Sequence, residues 1–205
     1  NMALTKINNN SLSAVTTLPA AIATGSLIKI STQTPSSASS VQFTSGLTSA
    51  YNTYFFTFNK LIAANDSVNL QFNVSTDGGS NYNISKTNGY AVQYNNASAN
   101  DVGITYDAAY DNQEGTGNST LAASPGNVSG TGESVTGYGY LYDVAATNVY
   151  KRFDFFMSYR RFNDYITGVR VSGEAQTKSA VNAVIFQYAS GNIASGNITM
   201  YGVKQ

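Results

Sequence analysis

The chain has 205 residues, 42% of them hydrophobic and 12% aromatic, enough for one sizeable core. Eleven Lys and Arg balance eleven Asp and Glu, so the formal net charge is zero and no basic field draws in nucleic acid or an anionic membrane. Cys and His are both absent, which removes disulfides, thiolate metal sites and every Ser-His or Cys-His catalytic arrangement.

Only 11% of residues are charged, low against the roughly 25% of an average soluble domain. Asn, Ser, Thr, Gly and Tyr must supply the polarity, which suits a surface packed against partners or copies of itself. No apolar run reaches transmembrane length. The N-terminus lacks a cationic start followed by an apolar stretch, so no signal peptide is expected. Met2-Ala3-Leu4-Thr5 reads as a natural start behind Asn1.

Residues 1–25 differ from the rest. Their apolar residues, Leu4, Ile7, Leu12, Leu18 and Ile22, are scattered without a sustained period, and Pro19 interrupts them. They are expected to form an extended arm, held either by its own domain or by a neighbouring subunit, with Leu4, Ile7, Leu12, Leu18, Pro19 and Ile22 as its assembly contacts. Residues 26–205 form the domain proper.

From Ser26 onward the signals are those of strands. Leu27–Ile30 and Val41–Phe43 are short strands, and Tyr54–Phe58 is an aromatic one. Val68-Asn69-Leu70-Gln71-Phe72-Asn73-Val74 alternates without error, with the apolar side chains on one face. A slip of one residue would expose all of them, so the register is well fixed. Thr76-Asp77-Gly78-Gly79-Ser80 supplies the turn that follows.

Tyr90, Val92 and Tyr94 alternate, as do Ile104 and Tyr106. The stretch 112–132 is almost all small and polar and reads as a long exposed loop, functional or mobile at that length. Order returns with Tyr138, Tyr140 and Tyr142, then with Phe153, Phe155, Met157 and Tyr159, both at period two. Tyr165–Val171 and Val181–Ile185 are further strands. Residues 193–203 read as a hairpin-like turn followed by a last strand. No segment carries a helical stripe. Short strands with Gly, Asn and Ser turns predict an all-β, jelly-roll-like antiparallel β-sandwich of about eight to ten strands.

Paired carboxylates are the remaining catalytic option, as in glycosidases. Asp101, Asp107, Asp111, Glu114 and Glu133 are the candidates, but they sit in loop-like sequence and Trp, the usual sugar-stacking residue, is absent. Solvated or turn-capping acids are the simpler reading. Asp101, Asp107 and Asp111 could offer oxygen ligands to calcium, yet no EF-hand or Gly-Asp repeat spacing is present. The chain is expected to be no enzyme and to need no metal or cofactor.

Tyrosine is more informative. Eight of the fifteen Tyr fall between residues 82 and 142. Tyr brings contact area at low entropic cost together with a hydroxyl. Tyr90, Tyr94, Tyr106, Tyr110, Tyr138, Tyr140 and Tyr142 are therefore candidates for a protomer interface or a receptor-binding face, the interface or simple sheet covering being favoured. Arg160 and Arg161 join them. With Lys151-Arg152 they bracket the strand Phe153–Tyr159, where Asp154 and Asp164 make ion pairing the default.

The run Tyr51-Asn52-Thr53-Tyr54-Phe55-Phe56-Thr57-Phe58, then Ala63-Ala64-Asn65-Asp66, Val68–Phe72 and Ser75-Thr76-Asp77-Gly78-Gly79-Ser80, resembles virion proteins of tailed bacteriophages, those of marine and cyanobacterial phages above all. The opening Met-Ala-Leu-Thr-Lys-Ile and the closing run from Ser190 to Lys204 are similar as well. The resemblance covers both ends and the first half of the domain, not residues 81 to about 137. It implies a jelly-roll module on the outside of a virion and carries no catalytic residues. A capsid decoration or cement protein is the first expectation: a homo-oligomer, trimer by preference, in contact with the major capsid protein and with neither nucleic acid nor membrane. A tail-fibre or tail-tip protein that recognises a host-surface glycan is the alternative, and a glycan-degrading enzyme a distant third.

Overall fold

The computed structural model describes residues 26–96, 101–127 and 132–204. The arm assigned to residues 1–25, with Leu4, Ile7, Leu12, Leu18, Pro19 and Ile22, lies outside the described residues.

In chain order the strands are β1 (Leu27–Gln33), β2 (Val41–Phe43), β3 (Thr53–Ala63), β4 (Leu70–Ser75), β5 (Lys86–Asn96), β6 (Asp101–Tyr106), β7 (Asn112–Gly115), β8 (Ser119–Ala122), β9 (Val135–Tyr142), β10 (Lys151–Arg160), β11 (Ile166–Ala175), β12 (Ala183–Tyr188) and β13 (Ile193–Val203). One 3-10 turn, Ala108–Tyr110, separates β6 from β7. The strands form two antiparallel sheets. The smaller has the order β2-β12-β4-β8; the larger runs β1-β13-β3-β9-β10-β11-β5-β6, with β7 also paired to β5.

That order contains a complete jelly roll. β1-β13-β3-β9 lies in one sheet and β2-β12-β4-β8 in the other, the paired four-strand arrangement of a double Greek key. Two insertions widen it. β5–β7 enter between β4 and β8, and β10–β11 between β9 and β12. All five inserted strands add to the large sheet, beyond β9.

Alternation explains which faces meet. Leu70, Phe72 and Val74 of β4 are buried, as the error-free period of that strand requires. Phe72 meets Phe153 and Phe155 of β10, its ring 4.9 and 4.7 Å from theirs. Phe186 of β12 packs edge-on against Phe58 of β3 at 5.0 Å. Edge-to-face contacts of this kind add to the area each ring removes from water.

Two segments differ from the sequence reading. The stretch 112–132 is not a long exposed loop: it carries β7 and β8, and Ser119, Thr120, Leu121, Ala122 and Ala123 are all buried. Small side chains hide the strand signal there, because they fit where the sheets approach without alternating with polar ones. Residues 128–131 lie outside the described residues. The C-terminal segment is one strand rather than a hairpin. β13 pairs with both β1 and β3, and its register slips around Ser195 and Asn197. At the slip, Gly196 has φ +115°, and a side chain there would run into the Lys60 carbonyl and Leu61. The glycine read as a turn marks a bulge.

Candidate functional site: two surfaces on the widened sheet

The outer face of the large sheet turns away from the small sheet and carries the aromatic residues of β9. Gly139 explains their direction. A Cβ on Gly139 would collide with the Phe155 ring. Glycine on the inner side lets Phe155 lie across β9, and the alternation then sends Tyr138, Tyr140 and Tyr142 outward.

The strand registers assemble their neighbours. Tyr140 lies opposite Phe55 of β3 and Asp154 of β10, and Asp154 lies opposite Ser172 of β11. One pair along, Tyr138 lies opposite Thr57 and Phe156, and Phe156 opposite Arg170. The Phe55 ring sits 4.8 Å from Tyr140 and 6.0 Å from Tyr201. Tyr140 and Tyr142 stack at 5.8 Å with 18° between their planes.

Arg170 donates to Asp154 through Nε at 3.1 Å and Nη2 at 2.7 Å, and the Ser172 hydroxyl donates to the same carboxylate at 2.8 Å. Tyr138, Tyr140, Tyr142, Phe156, Asp154 and Arg170 wall a concavity of about 320 Å³. Partial burial and the Asp154 charge push the Tyr142 hydroxyl above its ordinary pKa, so it stays protonated.

The second surface is the free edge. Among the described residues β6 is the outermost strand and is paired only to β5. Val102 and Ile104 lie opposite Asn95 and Gln93, and Asn95 lies opposite Ile166 of β11. Ile104 is 84% exposed, Val102 62% and Ile166 53%. A groove of about 480 Å³ runs between them over Gly168, and Phe156 lines it too, so the two surfaces adjoin at that ring.

The remaining candidates scatter. Tyr90 is core, not surface. Its hydroxyl and that of Tyr159 lie 3.4 Å apart, and both accept from the Ala123 N–H, at 3.1 and 2.9 Å. Its position at the inward phase of β5 puts it there. Tyr110 packs on the Tyr90 ring and Tyr94 against Tyr165. Tyr106 is exposed at the edge, its hydroxyl bonded to Asp111. Arg160 pairs with Asp164 at 3.2 Å, and Arg161 reaches the Ala123 carbonyl at 3.4 Å. Arg152 pairs with Glu174, whereas Lys151 is buried and donates to the Ala146 and Val149 carbonyls.

The carboxylates proposed for catalysis or calcium are dispersed in role. Asp101 accepts from the Tyr165 hydroxyl at 2.8 Å, and Asp107 caps the 3-10 turn through the Ala109 N–H. Glu133 is buried, and Glu114 is exposed on β7. Asp77 sits in the predicted turn and accepts from Ser75 and Asn81, which hold its pKa down to about 2. Among the described residues no three acids cluster as a metal site would need.

Four residues of the outer face escaped the sequence reading as site residues: Phe55, Asp154, Phe156 and Arg170. All stand at the outward phase of their strands, but only the register of β3, β10 and β11 against β9 brings them together. Lys86 escaped as well. It is fully buried and donates to the Asn73 side-chain oxygen at 2.7 Å and the Ile84 carbonyl at 2.9 Å.

A scan against protein-family models finds no match to this chain, and neither do searches of curated proteins and of solved structures.

Proposed function

We propose that this chain is a non-enzymatic structural protein of a tailed-phage virion, a decoration or cement subunit on the outer surface of the shell. The open edge of the large sheet carries the reading. Unpaired edge strands are ordinarily blunted by Lys, Pro or short length. β6 has neither Lys nor Pro and turns Val102 and Ile104 outward. Such an edge suits a strand that a neighbour covers. A chain of zero net charge does not repel its own copies, so another copy is the first partner, in a closed ring of which a trimer is the simplest form beyond a dimer. The major capsid protein is the second. The resemblance of the opening, the β3–β4 region and the closing strand to virion proteins supports the setting. Catalysis, a cofactor, nucleic acid and membrane have no part in it.

Stoichiometry tests the role. Quantitative mass spectrometry of purified particles should find this chain in numbers comparable to the major capsid protein. A few dozen copies per particle would exclude shell decoration, and absence from particles would exclude a virion role. The aromatic concavity on the outer face favours a second reading, a tail-fibre or tail-tip protein that meets the host receptor, and the low copy number is what that reading expects.

A further inference from the structure

We infer that the concavity walled by Tyr138, Tyr140, Tyr142, Phe156, Asp154 and Arg170 is a binding site for a neutral saccharide. The inference does not depend on where in a particle the chain sits.

The concavity offers two chemistries side by side. Ring faces form one wall: Tyr140 and Tyr142 stack nearly parallel, and Tyr138 lies 5.7 Å from Phe156. An aromatic face is negative, and the C–H face of a hexopyranose is apolar and weakly positive, so the two match. The other wall is the Asp154–Arg170 fork. Each partner keeps capacity beyond the bonds already made, since a carboxylate can accept about four bonds and a guanidinium donate five. The fork therefore presents an acceptor next to a donor. Neighbouring sugar hydroxyls, each able to donate and accept, need that arrangement. Among the described residues, the hydroxyls of Tyr138, Tyr140 and Tyr142 have no hydrogen-bond partner.

Charge decides against other ligands. Asp154 and Arg170 cancel, so the site has no net charge to hold a phosphate, a nucleotide or a metal ion. A purely apolar ligand would have to desolvate the fork without replacing its water. The size, about 320 Å³, falls at the small end of the roughly 300–1,000 Å³ range of small-molecule sites, suited to a short stretch of sugar chain. The geometry is also preorganised. Phe55 buttresses Tyr138 and Tyr140 at 6.1 and 4.8 Å, and Ser172 fixes the carboxylate that fixes the arginine. Little ordering cost remains for binding. The edge groove beside Ile104 contrasts with this. Its lining includes no charged side chain, which suits a protein neighbour and not a sugar.

The full chain, purified, is tested on an immobilised array of glucose-, galactose-, mannose- and N-acetylhexosamine-based oligosaccharides, and the strongest responder is titrated by calorimetry. The expected result is selective binding that Tyr140→Ala weakens by about tenfold or more, the loss of roughly 1.4 kcal/mol. Arg170→Lys, which keeps the charge but not the planar fork, weakens it as well. Lys178→Ala, exposed and away from both surfaces, leaves it unchanged. Thermal unfolding confirms that each variant is folded, and Tyr142→Phe provides a milder probe if Tyr140→Ala is not. No binding on the array overturns the inference, as does binding that survives both Tyr140→Ala and Arg170→Lys. Self-association that Tyr140→Ala abolishes, with no sugar bound, also overturns it and reassigns the face to a second copy.

Discussion

The Lys86 ammonium is fully buried and gives one of its hydrogen bonds to the side-chain oxygen of Asn73, 2.7 Å away. Asn73 is itself buried, and its amide nitrogen donates to the Tyr82 and Thr116 carbonyls and to Asn118. β4, the start of β5 and the segment before β8 are thus tied by one polar cluster. Among the described residues, the charge of that lysine is met by two neutral oxygens and no carboxylate.

That arrangement makes stability depend on pH with a defined sign. Burial disfavours the charged amine and lowers its pKa to about 8, while the unfolded chain keeps the proton to about pH 10.4. Between these values the unfolded state binds more protons, so stability rises with pH, by an amount on the order of 2–3 kcal/mol across the window. Below pH 8 the cost of the buried charge is fully present. Burial raises the pKa of Tyr90, Tyr159 and Tyr188. The unfolded chain alone ionises those groups near pH 10, so the rise ends there and reverses. Urea unfolding at half-unit steps from pH 7 to 11 checks this. In Lys86→Met the rise between pH 8 and 10 shrinks to what remains from Lys151, whose pKa burial also lowers.

Gly139→Ala tests why tyrosines alternate with glycines in β9. The added methyl meets the Phe155 ring, which is held by Phe72 and Phe58 and cannot withdraw. Overpacking of this kind costs about 1–3 kcal/mol, and in a chain of this size each kcal/mol lowers Tm by roughly 2–4 °C. Calorimetry reads the shift. A Tm unchanged from the parent chain would show that the inner face at Gly139 has room.

Tyr159→Phe removes a buried hydroxyl that donates to the Ala123 carbonyl at 3.0 Å and accepts from its N–H. Each backbone group loses its shorter bond and keeps a longer one, the N–H to Tyr90 at 3.1 Å and the carbonyl to Arg161 at 3.4 Å. A loss of about 1–2 kcal/mol follows. Denaturant midpoints measure it, with Tyr90→Phe as the milder companion.

Ile104→Lys places a charge on the exposed edge. A side chain already 84% in solvent contributes little to folding, so Tm changes by less than about 0.5 kcal/mol in equivalent stability. Association through β6 should fall sharply, because lysine blunts edge-to-edge pairing. Sedimentation velocity over a range of concentrations distinguishes the two effects. Equal oligomer content in the variant would remove β6 from the assembly contact.

Asp154→Asn separates the fork from the fold. The pair is on the surface, with Arg170 64% exposed, and a solvent-screened pair of this kind adds little to stability. Chemical denaturation should therefore barely register the change.

The sequence by itself determined the β class and the faces of individual strands. Leu70, Phe72 and Val74 could face only one way, because a slip would expose them all, and the Gly-Tyr alternation of β9 is a local property of a pleated strand. Asp77-Gly78-Gly79 marked its turn for the same reason: the conformations needed are set by the residues themselves. The tertiary structure alone decided three other matters. It recruited β7 and β8 from a stretch whose small residues carry no period, since only the space between packed sheets can select them. It moved Tyr90 inward and kept Tyr138 outward, although both alternate, because the phase of a strand relative to the core depends on its partners. It also set Arg170 beside Asp154 and Phe156 beside Tyr138, since the register between strands far apart in sequence comes from the whole sheet and from no single segment.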